Sequence, residues 1–514
     1  MTGLTSIDLE KIPGISGIGG VYGPCDLESL NKDEKTLAER EKTVNKIVPS
    51  LEDAVRLAGL KNGQTISFHH HFRDGDFIVN MVVDKLAEMG FKDLVLAASS
   101  LTDCHAPLIK HIQNGVIRRI ETSGLRGKLA DEISRGLMDI PVVFRSHGGR
   151  AYAIESGKLP IDVAFLGAPS CDPFGNANGY SRDSDEGVKC GSMGYAKCDA
   201  QYSKKTVIIT NNIVHFPNVP FGIPESDVDY IVKVDEIGDP AGIMKGATRF
   251  TSNPKELVMA EMAADVIEAS GCLVNDFSFQ TGTGGASLAV TRFLRDKMKA
   301  KGITASFALG GITGSIVKLH EEGLIKKLLD VQGFDLDAAD SLKNNRFHHQ
   351  ISAGYYASPK GDGAAVNQLD VVVLSALEVD VDFNVNVLTG NDGIIRGAVG
   401  GHQDTAYGAS VAIVVCPLTR GRIPCLVDRV GAIVTPGKTV DVIVTEQGVA
   451  VNPLRQDLVE KFTAARIPLK PIKELRARVE AIVGKPDPVE FTDKVVGIIT
   501  YRDGSIIDLL RQVK

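Results

Sequence analysis

The chain has 514 residues, 43% of them hydrophobic and 24% charged, and a net charge of −7. That length exceeds one ordinary domain and predicts two or three. The acidic balance speaks against a nucleic-acid surface. The longest apolar runs, such as Ser410 to Leu418, are strand-sized and too short to span a bilayer, so no membrane segment is expected.

Residues 1–49 are polar and Gly/Pro-rich, then charged, and predict an N-terminal arm with a short helix over NKDEKTLAEREK. The opening lacks a basic stretch before an apolar core, so no signal peptide is expected. Eight widely spaced cysteines without zinc-ligand spacing predict reduced thiols, a cytoplasmic protein and no metal. Ser50 is placed to cap a helix over SLEDAVRLAGL, and Thr65 to Phe68 predicts a strand. Asp76 caps the next helix, with Ile78, Val79, Val82, Val83 and Leu86 on one face, and Gly90 closes it. The runs DLVLAAS, PVVFRS, DVAFLGAP, TVIITNN and DYIVKV predict strands buried on both faces of a mostly parallel sheet.

The rhythm restarts near Ser252. Pro254 suits the first turn of a helix over NPKELVMAEMAADVIEASG. CLVNDFSF, ITASFAL, DVVVLSAL, SVAIVVC, CLVDRV and DVIVTE predict further strands. An internal repeat links the halves at an offset of 208: Asp162, Val163, Leu166, Ala168, Asp172, Asn176 and Asn178 recur as Asp370, Val371, Leu374, Ala376, Asp380, Asn384 and Asn386. The expected architecture is therefore α/β, with two tandem domains over 50–245 and 246–514, each an open and mostly parallel sheet. Ligands collect at the carboxyl ends of such strands, and two facing domains put the site between them.

Five segments could carry chemistry there. GAVGGHQDTAYGA (Gly397 to Ala409) has consecutive glycines whose N–H groups suit a developing oxyanion. QTGTGGAS (Gln280 to Ser287) is a strand-to-helix turn suited to a phosphate, although it lacks dinucleotide-fingerprint spacing. In FHHHFRD, His70 and Arg73 could reach a carboxylate, which Arg clamps through two parallel hydrogen bonds. Arg145, His147 and Arg150 form a second cationic spot beside a Gly pair. Glu378, Asp380 and Asp382 alternate along a strand, and Asn384 and Asn386 continue its polar face.

Together, ISFHHHFR, SALEVDVDFNVN, GGHQDTA and VIVTEQGVAVN resemble the coenzyme A transferase superfamily, most closely its citrate lyase α-subunit family, over essentially the whole chain. The resemblance implies two tandem transferase-type domains and the exchange of acetate for citrate on the CoA-derived thiol of an acyl carrier protein, with free acetyl-CoA as an alternative substrate. It implies no tightly bound cofactor. It implies a lyase β subunit and a carrier γ subunit as partners, citrate and acetate as ligands, and a homo-oligomer within a larger complex. Applied to this chain, it puts oxyanion stabilisation at Gly400, Gly401 and His402. Citrate falls to His70, His71, Arg73, Arg145 and His147. The carrier's phosphates or pantetheine arm fall to Gly282, Gly284, Gly285, Asn384, Asn386 and Glu446. One departure matters. Many such transferases form an acyl-glutamate, but GITASFALGG has no acid, Ser306 stands near the expected position, and no Glu lies between Glu268 and Glu321. That favours direct attack of citrate on the thioester. The competing expectation is an acyl-CoA transferase or acetyl-CoA hydrolase acting on another carboxylic acid.

Overall fold

Short apolar runs flanked by Gly, Asp and Asn leave little choice but a buried sheet, and the computed structural model has two large ones. It describes residues 45–182, 188–243, 251–282, 284–485 and 487–514. The expected arm as far as residue 44, its charged helix and the expected boundary at 245/246 lie outside the described residues. Residues 47–514 form one unit.

The first sheet contains β1 (Ile47–Val48), β2 (Thr65–Phe68), β3 (Leu94–Ala98), β4 (Ile117–Thr122), β5 (Val142–Phe144), β6 (Val163–Gly167), β7 (Lys205–Thr210) and β8 (Tyr230–Lys233). The second contains β9 (Ser278–Thr281), β10 (Ala305–Ile312), β11 (Ile325–Gly333), β12 (His348–Gln350), β13 (Val371–Ser375), β14 (Val411–Val415), β15 (Val442–Thr445) and β16 (Gly448–Val451). The last two strands, β17 (Phe491–Thr500) and β18 (Ile506–Val513), return to the first sheet. Its order is β1-β8-β7-β6-β2-β3-β4-β5-β17-β18, and that of the second is β12-β11-β10-β9-β13-β14-β15-β16. Both sheets are parallel except for one closing antiparallel pair each, β17–β18 and β15–β16. The expected second domain, 246–514, therefore takes in two strands that pair with the first sheet. The C-terminal hairpin belongs to the first sheet, where Gly497, Ile498 and Ile499 pair with Val142, Val143 and Phe144.

The repeat has a structural counterpart. β6 and β13 start and stop at positions 208 apart, and the aspartate before each holds the opening amide of the neighbouring strand. Thr65 N donates to Asp162 at 2.9 Å, and Ser278 N donates to Asp370 at 2.8 Å. After each strand, an Asp carboxylate receives the side-chain amide of the Asn four residues on: Asn176 on Asp172 at 2.9 Å and Asn384 on Asp380 at 3.1 Å. The expected helix caps form as well. Ser50 Oγ accepts from Asp53 N, and Asp76 accepts from Val79 N, both at 3.1 Å. Phe68 and Phe165 stack at 5.9 Å in the first core, and Phe277 and Phe279 at 5.5 Å in the second. Burying a large apolar side chain in this way contributes about 1.5–3 kcal/mol.

Two expected strands differ. CLVNDFSF enters the sheet only from Ser278, and CLVDRV gives a two-residue strand, Leu426–Val427, in a small separate sheet. In the second case, strand-like residues fall in a loop already crossed by Asp380 and Glu378 side chains, which take the amides of Val430 and Gly431.

Candidate active site

The carboxyl ends of β2, β3, β4 and β5 face those of β9, β10, β11 and β13 across a cavity of about 470 Å³. His70, Arg73, Ser100, Thr102, Ser123, Arg126 and His147 line one side. Gln280, Gly282, Gly284, Gly311, Gln332, Phe334, Tyr356, Ser375 and Arg420 line the other, and Val399 to His402 cross the floor. No Asp or Glu lines it among the described residues.

Arg73 is the principal cation. It sits one turn beyond β2 with φ 55°, and its guanidinium lies 4.8 Å from the Phe334 ring centroid. Its Nη1 is buried without a hydrogen-bond partner. Burial, then the neighbouring Arg126, push its pKa down to about 10, so it stays charged at neutral pH. Gln332 Nε2 is a second buried donor without a partner. Buried donors of this kind are costly unless an acceptor meets them, and a carboxylate is the acceptor that satisfies both charge and geometry.

The histidines behave differently from cations. The ring nitrogens Nδ1 of His69 and His70 both meet Ser99 Oγ, at 2.5 and 2.6 Å. Burial, with the neighbouring positive groups, holds both well below the usual imidazole range. Burial alone takes His71 down to about 3, and burial with Arg150 takes His147 down to about 3. All are neutral, so His70 and His147 can offer a single N–H to a ligand but no charge.

The Gly400 turn is tied to both sheets. Val399 N donates to Ser123 O at 2.7 Å, Leu125 N to Gly397 O at 3.1 Å, and His147 N to Gly400 O at 2.9 Å. Gly400 has φ 56°, a left-handed conformation that favours glycine. The amides of Gly400 and Gly401 donate to no described residue. Behind them Asp404 accepts from Ser146 Oγ and Gly148 N, each at 2.9 Å, and its carboxylate lies 3.4 Å from Arg502. Burial pushes Asp404 up to about 6 against the pull of those donors.

Of the residues singled out in the sequence, His70, Arg73, His147, Gly282, Gly284, Gly400, Gly401 and His402 meet in this cavity. Six do not. His71 packs edge-on against His69 at 4.2 Å, in a turn where its amide donates to His69 O at 3.1 Å. Arg145 turns to Glu121 on the adjacent strand at 2.7 Å. Gly285 opens the helix Gly285–Lys301 outside the lining. Asn384 closes the Asp380 turn, and Asn386 is fully engaged by Glu378, Thr389 and the amides of Leu388 and Thr389. Glu446 accepts Leu418 N at 2.9 Å. His402 lines the cavity, but its amide donates to Val399 O at 3.2 Å, so it is no oxyanion donor. Its ring is held between Thr435 and the Ser375 carbonyl. Ser306, near the position expected for an acid, donates to Phe277 O and stays outside the lining. Arg126, Gln280, Gln332, Tyr356 and Arg420 were not foreseen. Only Arg126, directly after the β4 strand end in TSGLRG, carries a sequence cue.

Two facing, mostly parallel sheets with a cationic cleft between their strand ends have the coenzyme A transferase type of architecture. The citrate lyase alpha subunit family matches residues 44–513. The chain is 61% identical over 477 residues to the citrate lyase alpha chain of Klebsiella pneumoniae, covering 93% of each. It is 56% identical to that of Escherichia coli strain K12, covering 95% of this chain and 96% of the relative. Among solved structures, the alpha subunit of citrate lyase from Streptococcus mutans in complex with citrate superposes with a TM-score of 0.89 at 56% identity, covering 91% of this chain and 92% of that one. A malonate decarboxylase alpha subunit from Acinetobacter baumannii shares the fold, at a TM-score of 0.63 and 16% identity over 86% of this chain and 90% of that one. The chain belongs to the citrate lyase alpha subunit family.

Proposed function

We propose that this citrate lyase alpha subunit exchanges acetate for citrate on a thioester carrier by direct attack, without a glutamyl-enzyme. The carrier is the CoA-derived thiol of a partner acyl carrier protein, with free acetyl-CoA able to substitute. A lyase β subunit takes the citryl thioester onward.

The observation that carries the reading is the cavity's charge pattern: Arg73 and Gln332 with unmatched buried donors, Arg126 nearby, and no lining carboxylate among the described residues. Citrate's carboxylates fit Arg73 and Arg126, with the neutral imidazoles of His70 and His147 as N–H donors. A citrate carboxylate oxygen attacks the acetyl thioester carbon, the C–S bond breaks, and a citric–acetic mixed anhydride and a thiolate result. The thiolate then attacks the citryl carbonyl and acetate leaves. Neither step needs a protein nucleophile; both need positioning and an oxyanion site. The amides of Gly400 and Gly401 supply donors for the second requirement. β10 supports the same reading from the opposite side, because it reaches the cleft as Gly311, next to Gly310. A Cβ on Gly310 would lie 2.6 Å from the Gln280 amide carbon, and one on Gly311 would lie 1.5 Å from the Phe334 ring.

The test is chemical trapping. The full chain is incubated with acetyl-CoA, treated with hydroxylamine or borohydride, and digested for mass spectrometry. Unmodified glutamates with acetyl-CoA–citrate exchange intact are expected; a modified Glu would overturn the direct mechanism. Citrate set against butyrate as acceptor separates this reading from a transferase for another acid.

A further inference from the structure

Tyr356 stands on the short helix Ala353–Ala357 with its ring in the core, only 2% exposed, and is one of the cavity's lining residues, its hydroxyl beside Gly401. That hydroxyl touches the Gly400 turn. A Cβ built on Gly401 would lie 2.5 Å from it, so glycine is needed there to admit the hydroxyl. Gln280 Nε2 donates to the phenol oxygen at 3.0 Å. The reverse contact, from the hydroxyl to Gln280 Oε1, is longer at 3.3 Å, so the amide N–H sets the orientation and leaves the phenol proton available to the cavity. Gln280 can lie there only because position 310 is glycine.

We propose that the Tyr356 hydroxyl, held by the Gln280 amide, is the side-chain donor that completes the oxyanion pocket begun by the Gly400 and Gly401 amides. The inference rests on the transferase reading above and assigns it a further catalytic residue, with Gln280 as its positioning residue. When the citrate oxygen bonds to the thioester carbon, the carbonyl π pair moves onto oxygen, and the Tyr356 O–H donates to that oxyanion. Collapse restores the carbonyl and expels the thiolate with the C–S pair. No proton moves in either half of the exchange, so the donor must keep its own. Burial, the largest influence, raises the Tyr356 phenol above its ordinary range and keeps it protonated against a thiolate.

The experiment compares acetyl-CoA–citrate exchange, citrate binding by calorimetry and thermal stability in the full chain and its variants. Tyr356→Phe keeps the ring and removes the donor. Its kcat is expected to fall about 10²- to 10³-fold, with citrate KM and calorimetric affinity within about threefold. Gln280→Leu should lose roughly tenfold in kcat at unchanged KM. The double variant should be no slower than Tyr356→Phe, because one residue acts through the other. An undiminished kcat in Tyr356→Phe overturns the proposal, as does loss of citrate binding, which would place the hydroxyl on citrate instead. Multiplicative losses in the double variant overturn the role of Gln280. Wild-type exchange is read in the same assay: its absence overturns the transferase reading itself, and its presence beside a fully active Tyr356→Phe overturns only the proposal.

Discussion

Arg73 reaches the cavity from a left-handed backbone that few residues other than glycine adopt, φ 55°. Such strain persists only where surrounding structure holds it, and here Phe334 lies against the guanidinium while one of its nitrogens stays unmatched. Arg73→Ala is therefore expected to raise the KM for citrate by about 10- to 100-fold, the range for a charge-assisted hydrogen bond, with the KM for acetyl-CoA moved by less than about threefold. Steady-state kinetics with each substrate varied in turn checks this, and equal shifts would remove Arg73 from the citrate pocket. Asp404 gives a prediction in pH. Its folded pKa is raised to about 6 by burial, above the ordinary carboxylate value. The native state then holds the proton more tightly than the unfolded chain, so this group's contribution is full below about pH 4 and is lost as pH rises through about 6. Asn at 404 can keep both hydrogen bonds, one by accepting from Gly148 N and one by donating to Ser146 Oγ. In Asp404→Asn, urea unfolding between pH 4 and 6 should lack that downward component, whereas an unchanged slope would show that Asp404 does not titrate there.

At the scale of elements, β10 shows how a strand tip is shaped by its neighbours. The Gln280 amide and the Phe334 ring occupy the room that side chains at 310 and 311 would need. Gly311→Ala should therefore destabilise the chain by overpacking, by roughly 1–3 kcal/mol, and thermal denaturation would show it as a lowered Tm; an unchanged Tm would mean that Phe334 moves aside freely. Strands were legible where burial on both faces produced an unbroken apolar run, as in VAFLG, VVVLS and VAIVV. β4 and β11 were not, because IRRIET and IKKLLDVQG put two consecutive charged residues near the strand start and so break the apolar run on both faces. The site was legible in part. Glycines and basic residues just beyond apolar strands marked the ends of β2, β5 and β9, and the cavity does gather His70, Arg73, His147 and the Gly282, Gly284 and Gly400–Gly401 turns. Gln332 and Tyr356 were hidden because nothing local marks them, and Gln280, though it opens the QTGTGGAS turn, was given no role of its own. Tyr356 sits in a five-residue helix, and its relation to Gly401 exists only once two distant segments cross. Arg145 misled for the opposite reason: local sequence put it at a strand end, but Glu121 on the next strand claims it.

At the scale of the whole molecule, the repeat predicted two similar sheets but not that the last hairpin would leave the second and complete the first. That hairpin does more than widen a sheet. Thr500 O receives Gln403 Nε2 at 3.0 Å, Asp508 receives Ile433 N at 2.8 Å, and Arg502 lies beside Asp404. Each joins the chain's end to the loops around the Gly400 turn. Removal of residues 487–514 is thus expected to expose the edge of β5, leave Asp404 buried without its guanidinium, and abolish citrate exchange together with cooperative unfolding. Circular dichroism melts and the exchange assay would read both, and a truncated chain with wild-type activity would refute the role assigned to the hairpin.

The Gly400 turn comes from the second half of the chain, yet its amides and carbonyls are bonded to Ser123, Leu125 and His147 of the first. A cleft stitched along its floor does not open like a jaw, since parting the two sheets would break those bonds together. Those bonds favour a cleft that keeps its width, entered by a slender group. Under the proposed function, a thioester at the tip of a long pantetheine arm would meet that condition, with the protein that bears it outside. Swinging belongs to the cargo's tether, and the enzyme can keep its donors in register through both halves of the exchange.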